Sequence, residues 1–319
     1  MSRFEASDIR TAHARIPAAF RDSPQYVHEG LSARLGRPVV VKVETLNPIR
    51  AFKGRGTWLA VEALAGEGSV GPGRPIVAAS TGNFGQGLAF AARAFAIPAV
   101  VVADVHANPN KLDRIRSFGA TVIQQGRDFD AAREAADAYA ASSGGHLLVD
   151  GADPWVATGA ATMALEVTDG AHDGSGGLPM PTTAYVPLGN GALIVGVGAW
   201  LRHAAPRCRV VGVSAAGAPS MVESWLAGRV IETAEASTYA EGIACRVPVP
   251  EALDMMVGRV DDVLLVTEEE LRAAQATLTA ATGITVEGAA GASWAGLLAD
   301  PRRGDGPALV ILTGSNVAA

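Results

Sequence analysis

The sequence predicts an α/β fold built on open, mostly parallel sheets, and three observations predict it. Short β-branched runs alternate with helix-patterned stretches along all 319 residues. The runs are apolar throughout rather than alternately polar, as in strands covered on both faces. Helix-patterned stretches begin on recognisable cap residues, and right-handed crossovers between parallel strands accommodate them.

In chain order, the strands are expected at Val39–Val43, Ile76–Ala79, Ala99–Ala103, Ala120–Ile123, Ala184–Pro187, Arg209–Val213, Val263–Val266 and Leu309–Leu312. Asn108-Pro109 sets a cap residue before a first-turn proline, and Thr267 with Glu270 spells a capping box. The Gly/Ser/Pro-rich stretch from His172 to Thr182 reads as a loop.

Apolar residues make up 49% of the chain, enough for a large core, and the formal charge is −6 with no basic stripe. Nucleic acid is therefore not an expected partner. Cys208 and Cys245 have no C-x-x-C spacing, which fits a reducing compartment and leaves one disulfide open. The N-terminus mixes Arg3, Glu5, Asp8 and Arg10 without an apolar export segment. Residues 174–201 carry no charge but are broken by prolines and glycines, unlike a membrane span. A cytoplasmic protein, not bound to membrane, is the expectation.

Four segments carry chemistry. In Glu44-Thr-Leu-Asn-Pro-Ile-Arg-Ala-Phe-Lys53-Gly-Arg-Gly56, a lysine follows a strand and a proline turn where a helix begins. A cation is electrostatically misplaced there, which should lower the pKa of Lys53 and suit it to nucleophilic work. The alternative is a solvated surface lysine. In Ala78-Ala-Ser80-Thr81-Gly82-Asn83-Phe84-Gly85-Gln86-Gly87 a strand runs into hydroxyls, glycines and a helix start. Such a turn is an anion site or an ordinary cap.

Tyr185-Val-Pro-Leu-Gly189-Asn190-Gly191-Ala192-Leu193-Ile194 repeats the strand–glycine–helix arrangement of a phosphate cradle. It is not a dinucleotide fingerprint, because Ile194 stands where a third glycine belongs and Ser214 follows the next strand. Val310-Ile-Leu-Thr313-Gly-Ser315-Asn316 delivers hydroxyls past a strand's carboxyl end, where ligands of open α/β sheets sit.

Together and in this order, these segments resemble the fold-type II pyridoxal-phosphate enzymes, the tryptophan synthase β superfamily, in its serine/threonine dehydratase and serine racemase branch. The resemblance runs from about Tyr26 to Asn316. It includes Asn108-Pro-Asn-Lys with Gly119-Ala-Thr-Val, Thr158-Gly-Ala-Ala-Thr-Met-Ala-Leu-Glu166, Ala240-Glu241-Gly242-Ile-Ala and Val286-Glu287-Gly-Ala-Ala-Gly.

The resemblance implies pyridoxal 5'-phosphate as cofactor, carried as a Schiff base on Lys53, which also serves as the base. It implies that Phe52 packs beside the ring and that Asn83 bonds its phenolic oxygen. Ser80, Thr81 and Gly82, with Asn83, would take the substrate carboxylate. Gly189, Asn190, Gly191 and Ala192 would hold the phosphate, and Thr313 would face the ring nitrogen. Gly242 would border the imine, with Glu241 and Glu287 on the cofactor's outer side. Thr81 stands where racemases of the family place a reprotonating serine. Two three-layer domains are implied, a large one of residues 1–68 and 151–319 and a small mobile one of 69–150, with the active site in the cleft between them. A homodimer is implied as well.

The activity implied is a lyase: α,β-elimination from serine, threonine or a 3-substituted serine to a 2-keto acid and ammonia. The alternatives are a β- or γ-replacement synthase, because Ser-Thr-Gly-Asn-Phe-Gly is similar to the run in threonine synthases, or an amino-acid racemase. A ligand-binding protein without catalysis is the alternative from another class.

Departures from the family pattern are Ala51 for serine, Phe84 for histidine, Glu241 for aspartate, and Asn190 and Ala192 within an otherwise all-glycine loop. Ser214 and Ser220 stand where cation-binding relatives carry carboxylates, so no metal is expected. Glu166 is expected to serve helix packing, and the histidines to be surface or packing residues. The chain ending soon after Asn316 argues against an appended regulatory domain.

Overall fold

A computed structural model describes residues 4–172 and 177–317. Its strands are β1 (Gln25–Val27), β2 (Val39–Val43), β3 (Ile76–Ala79), β4 (Ala99–Ala103), β5 (Thr121–Gln124), β6 (His146–Leu147), β7 (Thr183–Pro187), β8 (Arg209–Ala215), β9 (Asp262–Val266) and β10 (Ala308–Leu312). The helices are α1 (Ala6–Arg15), α2 (Glu29–Leu35), α3 (Lys53–Gly66), α4 (Asn83–Ala94), α5 (Pro109–Ser117), α6 (Phe129–Ser143), α7 (Pro154–His172), α8 (Ala192–Ala204), α9 (Ser220–Ala227), α10 (Pro250–Met256), α11 (Glu268–Thr282) and α12 (Gly288–Ala299).

Two sheets organise these elements into an α/β fold of two domains. One has six strands in the order β1-β2-β10-β7-β8-β9, and the other four in the order β5-β4-β3-β6. All pairings are parallel except β1 with β2, which is antiparallel. Strands β2, β4, β7 and β10 are buried along their full length, which accounts for their mostly apolar character, with Lys42 of β2 and Thr183 of β7 buried as well.

The expected strands appear within a residue or two of their sequence positions, Ala120–Ile123 as Thr121–Gln124. The sequence missed β1 and β6, which are three and two residues long and too short to show a period. Asn108 accepts the Asn110 N–H, and the Thr267–Glu270 capping box forms in both directions. Of the expected loop 172–182, residues 173–176 lie outside the described residues, and 177–182 form no helix or strand.

Both cysteines are free and buried, so the disulfide left open by the sequence does not form between them. Burial pushes Cys208 up to about 12 and Cys245 up to about 11. Among the described residues, no helix is long and apolar enough to cross a membrane.

Candidate active site

A cavity of about 250 Å³ opens where the carboxyl ends of strands from both sheets meet. The turns after β3, β6, β7 and β10 all line it, through Ser80–Asn83, Asp150, Gly189–Ala192 and Thr313. This is where parallel sheets leave backbone groups unpaired.

Lys53 reaches the cavity from the first turn of α3. The loop before it is tied down on both sides. Asn47 accepts the N–H groups of Ile49 and Ala51 through its side chain. The tail beyond β10 runs alongside: Phe52 N–H donates to Thr313 O at 3.1 Å, and Ser315 N–H to Arg50 O at 3.0 Å. Asn316 Nδ2 donates to Ile49 O at 2.7 Å. The last strand thus brings Thr313 beside Phe52 and Lys53, an adjacency that more than 250 intervening residues hide in the sequence.

Four helices, α3, α4, α8 and α12, start at the cavity wall, and none has a side-chain hydrogen bond from its cap residue, although in α4 the Ser80 hydroxyl oxygen accepts the first-turn Gly85 N–H. Of the other helices, α2, α5, α6 and α11 carry a side-chain cap, whereas α1, α9 and α10 do not. First-turn N–H groups without a cap seek an anion, and their dipoles favour one. At α8 the approach is close. A Cβ on Gly189 would lie 2.7 Å from Gly242 O, and Gly191 turns at φ 93°. These features fit a phosphate, and an amine facing the same cavity fits an aldehyde. The residues present therefore suit pyridoxal phosphate.

Other expected residues are brought together with partners that the sequence did not indicate. Asn83 Nδ2 donates to both oxygens of Glu287 at 3.1 and 2.9 Å, and its Oδ1 accepts from Asn316 Nδ2 at 2.7 Å. Burial raises the pKa of Glu287 above the usual carboxylate range, against the opposing pull of Lys111, Asn316 N–H and Asn83. Ser80 is buried, and its Oγ accepts the N–H groups of Gly82 and Gly85, so it stabilises the turn into α4. Thr81 and Gly82 line the cavity, and no atom would lie within 4 Å of a Cβ on Gly82. Gly242 and Glu241 stand on a 3₁₀ turn on the opposite wall, where Glu241 pairs with Lys111 of α5 at 2.5 Å.

Two expectations change. Lys53 is not an isolated cation at a helix start, because the Asp150 carboxylate holds its Nζ at 2.7 and 2.6 Å. The sequence reading missed Asp150. Its signal was an acid just past the apolar Leu147-Leu148-Val149, but β6 itself went unrecognised. Glu166 is more than a packing residue. It accepts from Lys42, Arg55 and His13, away from the cavity. Ser214 and Ser220, the positions that argued against a metal, donate their hydroxyls to the carbonyls of Leu188 (2.5 Å) and Cys245 (2.7 Å).

Residues 17–314 match the family model described as pyridoxal-phosphate dependent enzyme. An L-threonine ammonia-lyase of Geobacter sulfurreducens is 32% identical over 311 residues, covering 97% of this chain and 75% of that protein. An L-threonine ammonia-lyase of Thermotoga maritima is 32% identical over 310 residues, with the same coverage of 97% and 75%. The crystal structure of a threonine deaminase from T.th. superposes with a TM-score of 0.88 at 28% identity, covering 99% of each chain. An amine and uncapped helix starts facing one cavity agree with these likenesses, and the chain belongs to the family of pyridoxal-phosphate-dependent enzymes.

Proposed function

We propose that the protein is an ammonia-lyase that eliminates water from a small β-hydroxy amino acid, serine or threonine, and that hydrolysis of the product takes that water back and releases ammonia and a 2-keto acid. The observation that carries this is the meeting of Lys53, the uncapped start of α8 and the Ser80–Asn83 turn in one cavity. The ammonia-lyases at 32% identity support the reaction class.

Lys53 is the covalent anchor, and the backbone N–H groups of Gly189, Asn190, Gly191 and Ala192 take the phosphate. Phe52 would flank the ring, Asn83 would meet its phenolic oxygen, Thr313 would face its nitrogen, Gly242 would border the imine, and Glu241 and Glu287 would line its outer side. When bound, the cofactor supplies a conjugated ring that accepts electron density from the substrate Cα. Thr81 and Gly82, at the start of α4 with Ser80 and Asn83, take the substrate carboxylate through N–H groups and a hydroxyl. Lys53, once its amine is free, removes the Cα proton. Thr81 is the hydroxyl on the opposite side.

We also propose that residues 69–150, which contain the strands of the four-stranded sheet, move against residues 1–68 and 151–319 to open the cleft. The 2.5 Å Lys111–Glu241 pair between α5 and the 3₁₀ turn would part in that motion. A cytoplasmic homodimer completes the proposal, on the chain's charge balance and its likeness to the family.

The test is a panel of β-hydroxy amino acids in every configuration, scored for keto acid and ammonia with and without an added nucleophile. Keto acid release independent of the nucleophile is expected. A requirement for it would point to replacement chemistry, and inversion without release to a racemase. Lys53→Ala is expected to be colourless with cofactor and not labelled by borohydride.

A further inference from the structure

The Lys53 ammonium has one carboxylate partner within ion-pair distance among the described residues, Asp150, which meets it with both oxygens at 2.7 and 2.6 Å. Both side chains are largely shielded, at 15% and 13% exposure. Water therefore screens the pair little. The carboxylate is fixed from behind: a Cβ on Gly151 would lie 2.4 Å from Asn190 O, so the Asp150-Gly151 turn sits tight against the α8 cradle. Asn190 Nδ2 approaches the same carboxylate at 3.5 Å.

The other groups around Lys53 do not compete for it. Phe52 of its own helix and Phe84 of α4 offer ring faces at 4.9 and 5.6 Å. Arg55 points away to Glu44 and Glu166. Lys111 of α5 is bound to Glu241 of the 3₁₀ turn, and Glu287 of α12 takes Asn83 and the Asn316 N–H.

We propose that Asp150 is the counter-ion that holds the Lys53 ammonium in the cofactor-free site, and so governs how readily Lys53 captures an aldehyde. The proposal rests on the reading of Lys53 as the covalent anchor. Capture joins Nζ to the aldehyde carbon and releases the carbonyl oxygen as water. It consumes only the neutral amine, so the ammonium must first give one proton to solvent. A carboxylate at this distance opposes that loss, and offsets the unfavourable helix-start position of the cation. The same contact receives the ammonium each time Lys53 is freed and takes up a proton from substrate. Asp150 is thereby a partner to the reacting nitrogen at both ends of the cycle.

The experiment mixes cofactor-free wild type, Asp150→Asn and Asp150→Glu with pyridoxal phosphate or with pyridoxal, which lacks the phosphate. The rate of imine colour is followed from pH 6 to 9. In Asp150→Asn the rate–pH limb is expected to move about one unit lower with both probes, roughly tenfold faster capture at pH 7. Asp150→Glu should keep the wild-type limb. Asp150→Ser serves in the same assay where the Asn variant does not accumulate. An unmoved limb, slower capture, or acceleration confined to the phosphate-bearing probe overturns the proposal, the last because Asp150 would then only repel the phosphate. Borohydride trapping separates the two readings. Label on Lys53 with an unmoved limb sinks the Asp150 role alone, whereas label on another lysine removes the anchor assignment and this role with it.

Discussion

Arg55 and Glu166 face each other across the α3–α7 contact, with Nη1 2.5 Å from Oε1 and Nη2 2.9 Å from Oε2. The guanidinium is fully buried and turns its other edge to Glu44, at 2.8 and 2.9 Å. Lys42 of β2 also reaches Glu166, at 2.5 Å. Two cations and two carboxylates thus join the helix that begins with Lys53 to β2 and α7. Removing one member strands the others without water. Arg55→Ala is expected to cost about 3–5 kcal/mol in urea denaturation of the cofactor-free protein. Arg10→Ala, which breaks the exposed pair with Asp169, should cost less than about 1 kcal/mol.

Two buried carboxylates should give opposite pH dependences. Burial alone would push Glu166 up. The hydrogen bond from His13, with the Arg55 and Lys42 charges, overrides it and holds its carboxyl well below the usual range. Its stabilisation is therefore full above the unfolded value of about 4.3 and is lost as pH falls below it. The stability gap between wild type and Glu166→Gln should shrink on acidification from pH 7 to 3. Glu287 is raised by desolvation, so its stabilising contribution is full below about pH 4.3 and is lost as pH rises through the folded value. Cofactor-free Glu287→Gln should gain on wild type over that rise, in denaturation curves measured at each pH.

Helix α3 approaches α7 through two glycines. A Cβ on Gly159 would lie 2.4 Å from the Gly56 Cα, and one on Gly56 would lie 2.4 Å from Val156 O. Backbone cannot yield as a flexible side chain can. Gly159→Ala should cost about 1–3 kcal/mol by overpacking. It should also weaken cofactor binding, because α3 carries Lys53. A fall in Tm with unchanged cofactor affinity would show that the shift is absorbed away from the site.

Gly191→Ala combines a left-handed backbone, φ 93°, with a Cβ 2.9 Å from that of Ala252. The conformation costs about 1–2 kcal/mol for a residue with a side chain. Movement of the turn should weaken cofactor binding about tenfold in a fluorescence titration. Gly36→Ala has φ 67° and open space around it, and begins no helix at the cavity. It should share the stability loss and leave cofactor affinity unchanged.

Strands such as Val39–Val43 and Ala99–Ala103 were legible because both faces are buried, which leaves a largely apolar run. Lys42 interrupts the first of these runs, and that break was the trace in the sequence of the buried charge network. The glycine turns before α4 and α8 were equally legible, since a strand, a short turn and a helix start are contiguous. The partner of a side chain was not. Asp150 lies 97 residues from Lys53, and Glu166 lies 111 from Arg55.

The sequence by itself determined the class of fold, the family and the turns that face the cavity, because these depend on local pattern and on residues adjacent in the chain. Only the tertiary structure decided which charges meet: that Lys53 has a carboxylate beside it, that Ser80 spends its oxygen on the α4 turn, and that Glu166 anchors α3. The physical reason is range. Backbone conformation follows from neighbours a few residues away, whereas an ion pair forms wherever folding brings opposite charges together out of water.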